Sequence, residues 1–324
     1  MRRLFGYYRQ FDELSPDEVS RELLAARDEE RRRHPAQQPP LDLSGAAWHG
    51  PPHAEAINAA TFALRRAVNS YPDASVLREA IAASHVIDPR RVMVGHGAGE
   101  LLRSALRAVA TGEVEIVWPG WGLLPQLVSE AGAIPVPVSE ISGRRTAVLC
   151  RPNDPTGEVR DYSPGEHWLI LDEALAGFLP DGEDAIVDHP RVIQIRSFSK
   201  AHAMAGLRIG YAIVPDDGPD LTPVLGVGAP ALAAALWAVE NGAASARRRR
   251  DRAAEQRARL AEFDIAPGHG PYVWLAAPIA EELAARRIYV APGSAWGDEQ
   301  HVRITLDDDA ATDRLISALR ETLN

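Results

Sequence analysis

Short apolar runs recur through the middle of the chain, several of them closed by a turn rich in glycine, proline or asparagine. Val92-Met93-Val94, Val114 to Trp118, Ala147 to Cys150, Trp168 to Leu171 and Val192 to Ile195 are of this kind. Near-continuous apolar runs, unlike alternating ones, mark strands covered on both faces. Leu207 to Val214 reads as a further strand. Between the runs lie helical stretches, such as Leu77 to Ala82 and the one opened by Leu101-Leu102. Strand alternating with helix predicts an α/β fold: a mostly parallel sheet flanked by helices, with its ligand at the carboxyl ends of the strands.

The two ends read differently. Ser15-Pro16-Asp17-Glu18 fits a helix start, with a serine cap, proline at the first helical position and a capping-box glutamate. Residues 1–40 are therefore expected to form a helical arm, and residues 41–225 the large domain. A long helix is expected from Pro230 to Phe263, with Arg247 to Arg250 as a solvated face. Tyr272 to Leu275, Ile288 to Val290 and Val302 to Leu306 read as strands of a small C-terminal α/β domain, so that 226–324 holds the long helix and that domain.

Composition narrows the function. The chain has 324 residues, 46% of them hydrophobic and 25% charged, which suits a globular protein rather than a disordered one. A net charge of -10 counts against nucleic acid as the main partner. Cys150 is the only cysteine, so no internal disulfide and no cysteine metal cluster is expected. The first residues are charged, and no apolar run is long enough to span a bilayer. A cytoplasmic protein without a membrane partner is expected.

Lys200 is the only lysine; every other side chain in the Lys+Arg count of 35 is arginine. Arginine supplies charge and a planar fork but cannot form a Schiff base, whereas lysine can. Lys200 sits in Arg196-Ser197-Phe198-Ser199-Lys200, followed by Gly206-Leu207-Arg208, between two expected strands. Serine hydroxyls, an amine and a guanidinium at a strand end suit a phosphate-bearing cofactor. The loop Gly95-His96-Gly97-Ala98-Gly99 before a helix suits a phosphate as well.

The lysine loop resembles that of the pyridoxal-phosphate aminotransferases of the aspartate aminotransferase fold (class I/II, fold type I). The likeness is greatest to the histidinol-phosphate aminotransferase branch. Other segments match in family order: Tyr71-Pro72-Asp73, the Gly95 loop, Trp118-Pro119-Gly120-Trp121, Asn153-Asp154-Pro155-Thr156-Gly157, Asp172 and Arg303. The resemblance implies pyridoxal 5'-phosphate as cofactor and Lys200 as the residue of the internal aldimine and the base for the α-proton. It implies Asp172 against the pyridine nitrogen, Trp121 stacked on the ring and Asn153 donating to the 3-oxygen. The phosphate would be held by Ala98, Gly99, Ser197, Ser199 and Arg208, with Tyr71 reaching it from the neighbouring subunit of a homodimer. Arg303 would fork the substrate carboxylate. Transamination between an amino acid and a keto acid is the implied reaction. Two departures keep decarboxylation or elimination open as alternatives. Leu175 stands where the family has a tyrosine that donates to the 3-oxygen, and Ser44 to Pro52 replaces an Asn-Glu-Asn-Pro segment. A non-catalytic ligand-binding protein of the same fold ranks last, because the 40-residue arm is short for a DNA-binding domain.

Overall fold

The computed structural model describes residues 39–323, so the expected arm helix after Ser15 lies outside the described residues. The chain first lays down β1 (Leu41–Leu43), then seven strands of one sheet. These are β2 (Val92–Gly95), β3 (Glu113–Val117), β4 (Ile134–Val138), β5 (Thr146–Cys150), β6 (Leu169–Glu173), β7 (Val192–Ser197) and β8 (Gly210–Ile213). Their order is β2-β8-β7-β6-β5-β3-β4. Strands β7, β6, β5, β3 and β4 run parallel, and β8 is antiparallel to both its neighbours. Three later strands, β9 (Tyr272–Leu275), β10 (Ile288–Pro292) and β11 (Val302–Thr305), form a second sheet with β1 in the order β1-β10-β11-β9.

The helices are α1 (Ala54–Ala67), α2 (Ser75–His85), α3 (Ala98–Val109), α4 (Leu124–Glu130), α5 (Ala229–Asn241), α6 (Ala243–Arg259), α7 (Ala280–Ala285) and α8 (Asp309–Leu323). The apolar runs are continuous because the large sheet is covered on both faces. Ile116, Val148, Ile170 and Ile193 pack with Leu101, Leu102 and Leu106 of α3. Val117, Leu149, Leu171 and Val192 form a separate core cluster. Burying one such side chain contributes roughly 2 kcal/mol. Register then brings chemistry together. Cys150 pairs with Asp172, and Asp172 with Ile195, so that Cys150, Asp172 and Ser197 lie at the carboxyl ends of neighbouring parallel strands.

Two expectations change. The stretch from Pro230 to Phe263 is two helices, α5 and α6, that meet at Gly242. Gly242 N donates to Ala238 O at 2.8 Å, and a Cβ at Gly242 would lie 2.5 Å from that oxygen. Helix packing this close at the junction admits only glycine. Strand β8 begins at Gly210 rather than Leu207, because Arg208 takes a left-handed conformation (φ 53°) after a short turn. Among the described residues no helix is long and apolar enough to cross a membrane.

Candidate active site

A cavity opens at the carboxyl ends of β5, β6 and β7. Its wall includes Lys200, Asp172, Trp121, Ala98, Gly99, Ser197, Ser199 and Arg208, all expected from the sequence. The structure thus gathers these residues from four separate segments into one site.

One end of the cavity is built to hold an anion. Gly97, at φ 86°, turns the chain from β2 into α3, and no side chain caps that helix. The free first-turn amides sit at the positive end of the helix dipole. Arg208 closes this end: a Cβ at Gly97 would meet its Nη2 at 2.9 Å. Its Nη1 donates to Ala205 O at 2.8 Å. Ser199 N donates to Ser197 Oγ at 3.0 Å, which orders the hydroxyl-bearing turn. Trp121 lies over Gly99, whose Cβ, if present, would lie 3.1 Å from the indole. Trp118 instead points away, donating its Nε1–H to Trp296 O at 2.9 Å.

The other end is acidic. Asp172 Oδ1 accepts from Ala174 N at 3.1 Å. Burial pushes the Asp172 carboxyl up to about 6, opposed by that hydrogen bond and reinforced by the charges of Asp154 and Glu173. A carboxylate held this way favours a cationic partner in the cavity. Burial likewise lowers the Lys200 amine, with Arg303 and Arg208 pushing the same way and Asp154 and Asp172 opposing. More of the neutral, nucleophilic amine is therefore present than on a surface lysine. Behind the wall, Arg196 Nε pairs with Glu173 Oε2 at 2.9 Å in full burial, and Gln194 donates to the same oxygen at 3.1 Å.

One expected contact falls elsewhere. Asn153 is fully buried behind the wall, and its Nδ2 donates to Pro119 O at 2.8 Å and to Thr156 Oγ1 at 3.1 Å. Its one unpartnered atom is Oδ1, an acceptor. Asn153 thus spends its donors closing the turn to Gly157, and the neighbour that faces the cavity is Asp154. Tyr71 is 86% exposed and lies in a separate hollow beside α2 and α5. Arg303 is buried next to the cavity: Nη1 donates to Asp154 Oδ1 at 2.8 Å and Nη2 to Ser44 O at 3.0 Å. Trp48 and His49 meet at a tilt of 31°, ring centroids 4.7 Å apart, while Ala46 of the same loop reaches the cavity.

The sequence reading missed Cys150, Asp154 and Tyr272 as wall residues. Leu175 does line the cavity, which fits its place three residues after Asp172.

Comparison with known proteins decides the family. The model for aminotransferase class I and II matches residues 158–319. An aromatic amino acid aminotransferase of Cutibacterium acnes is 30% identical over 314 residues, spanning 82% of this chain and 88% of that one. The chain belongs to the class I and II aminotransferases. It is a pyridoxal-phosphate-dependent aminotransferase that acts on amino acids. A histidinol-phosphate aminotransferase of Rubrobacter xylanophilus is 38% identical over 195 residues, 50% of this chain and 55% of that one. The aspartate aminotransferase of Thermus thermophilus with maleate has the same fold, with TM-score 0.78 at 23% identity over 97% of this chain and 98% of that one.

The site of this aminotransferase fits its cofactor on its own geometry. The helix end, where a Cβ at Gly97 or Gly99 would crowd Arg208 or Trp121, suits the phosphate, the raised Asp172 carboxyl suits a pyridinium, and the depressed Lys200 amine suits an aldehyde.

Proposed function

We propose that Lys200, Asp172 and the anion-holding end of the cavity divide the work of transamination as follows. The amides of Ala98 and Gly99, the Ser197 and Ser199 hydroxyls and the Arg208 guanidinium hold the phosphate. Trp121 covers one face of the ring. Asp172 keeps the pyridine nitrogen protonated, and the bound cofactor supplies an electron sink for the pair left when the substrate's α-proton departs. Lys200 Nζ would hold the carbonyl carbon covalently until the substrate's amine displaces it, and the freed amine would move the proton at the substrate's α-carbon. Arg303 receives the substrate carboxylate. The observation that carries this reading is the convergence of the lone lysine, lowered by burial, with a carboxyl raised by burial in one cavity.

The functional unit in this reading is a homodimer. Ile57, Phe62 and Leu64 of α1, with Val68, Tyr71 and Val76 after it, are all exposed in the single chain. An apolar surface of this extent calls for a partner. A two-fold copy would cover it and bring Tyr71 to the neighbour's phosphate end.

The test is single-turnover chemistry on protein loaded with pyridoxal phosphate. Aromatic amino acids and histidinol phosphate head the panel, because the relatives carry those names. One keto acid, or one ketone from histidinol phosphate, released per Lys200 in the absence of an acceptor supports transamination. Carbon dioxide release without it supports the decarboxylase alternative.

A further inference from the structure

Tyr272 opens β9, comes from the second sheet and still lines the cavity beside Lys200 and Asp172. Its side chain is 1% exposed, and its hydroxyl has no hydrogen-bond partner in the protein. A buried hydroxyl without a partner is disfavoured by its lost hydration, so such a group persists where a ligand completes it. Tyr272 and Leu175 both line the cavity and both border Gly270, where a Cβ would lie 3.9 Å from Leu175 Cδ1 and 3.9 Å from the Tyr272 ring.

The donors on this wall are few. Leu175 has none. Asn153 commits its amide hydrogens to Pro119 and Thr156. An ionised Asp154 cannot donate, and its Oδ1 already accepts from Arg303. Cys150 Sγ, a weak donor, faces Asp172 Oδ2 at 3.9 Å. Pyridoxal phosphate presents one strong acceptor away from its phosphate and ring nitrogen, the 3-oxygen.

We propose that the Tyr272 hydroxyl donates to the cofactor's 3-oxygen, in place of the donors that Leu175 and Asn153 do not provide. The proposal rests on the cofactor reading above. The charged and titratable groups facing this hydroxyl are Asp154, Arg303, Cys150 and Asp172. Burial, followed by the Asp154 charge, raises the phenol well above its ordinary range, so it keeps its proton and acts as a donor at neutral pH.

Tyr272→Phe removes the hydroxyl and little else. The experiment compares affinities of parent and variant for pyridoxal phosphate and for its 3-deoxy analogue, by fluorescence titration of the apoprotein. The parent should prefer the 3-hydroxy form by about 10-fold more than the variant does, the worth of one hydrogen bond to a charged oxygen. The cofactor-loaded variant should also hold its protonated, yellow absorption band to higher pH. A donor stabilises the charged oxygen without the neighbouring proton, and Tyr272→Phe removes that donor. Equal preference for the two cofactors in parent and variant, with unchanged titration, overturns the proposal while the Lys200-dependent band leaves the cofactor reading standing. A parent that shows no such band overturns both.

Discussion

Arg303 Nη1 donates to Asp154 Oδ1 at 2.8 Å, so the guanidinium assigned to the substrate carboxylate is already paired with a carboxylate of the cavity wall. Its Nη2 is taken by Ser44 O, and the Tyr272 and Trp296 rings flank its Cζ at 5.2 and 4.8 Å. Its Nε has no partner. A substrate must therefore share this fork with Asp154. Arg303→Lys should keep the charge and lose the fork. KM for the amino acid should rise about 10- to 100-fold with a smaller change in kcat, because bidentate geometry is not reproduced by an ammonium. Steady-state kinetics across amino acids checks this, and an unchanged KM would remove Arg303 from substrate binding.

Removing the charge altogether has a structural cost. Arg303→Ala leaves Asp154 unpaired in a largely buried position, and Ser44 O loses its donor. Losing one partner of such a pair destabilises by about 3 kcal/mol. Urea unfolding of apoprotein should show that loss. The double variant Arg303→Ala with Asp154→Ala should recover part of it.

The Asp172 carboxyl gives the apoprotein a defined pH dependence. Its folded value of about 6 exceeds the unfolded value of 3.8, so between these the folded state binds the proton more tightly. Stability from this group is highest below pH 4 and falls as pH rises through 6. Asp172→Asn should flatten that component, so the variant's thermal midpoint exceeds the parent's at pH 7 by more than at pH 4. The same variant should bind pyridoxal phosphate more weakly, since the cofactor's cation supplies the missing partner. An apoprotein difference that does not change with pH would place Asp172 outside the titrating site.

At the anion-holding end, Arg208→Ala should weaken pyridoxal phosphate binding by about 10- to 100-fold, the range for a charge-assisted hydrogen bond. Pyridoxal, which lacks the phosphate, should bind parent and variant alike. Equal losses for both would mean that Arg208 supports the fold rather than the phosphate.

Assembly is tested by complementation. Tyr71→Phe and Lys200→Ala subunits, mixed and allowed to exchange, should regain activity, because one site then has Lys200 from one chain and Tyr71 from the other. Light scattering should give twice the 35.2 kDa chain mass. A fully active monomer would contradict the arrangement.

Much of the site was legible because strand ends announce themselves. Lys200, Asp172 and the Gly95 loop each follow an apolar run, and parallel strands bring their carboxyl ends together. Asn153 against Asp154 was not legible, since adjacent polar residues in a turn differ only in which one the turn's hydrogen bonds consume. Tyr272 was read only as the start of a strand. Its role depends on the second sheet packing against the first, a long-range contact that periodicity does not carry. The break at Gly242 was hidden because helical pattern continues on both sides of it.

The central claim is that Lys200 carries the cofactor, and the lone lysine makes the test direct. Borohydride reduction of the loaded protein, digestion and mass spectrometry should find one phosphopyridoxyl group per chain, on the peptide containing Lys200, and none on Lys200→Ala. Reduced protein with Lys200 unmodified, or label retained by Lys200→Ala, would contradict the account.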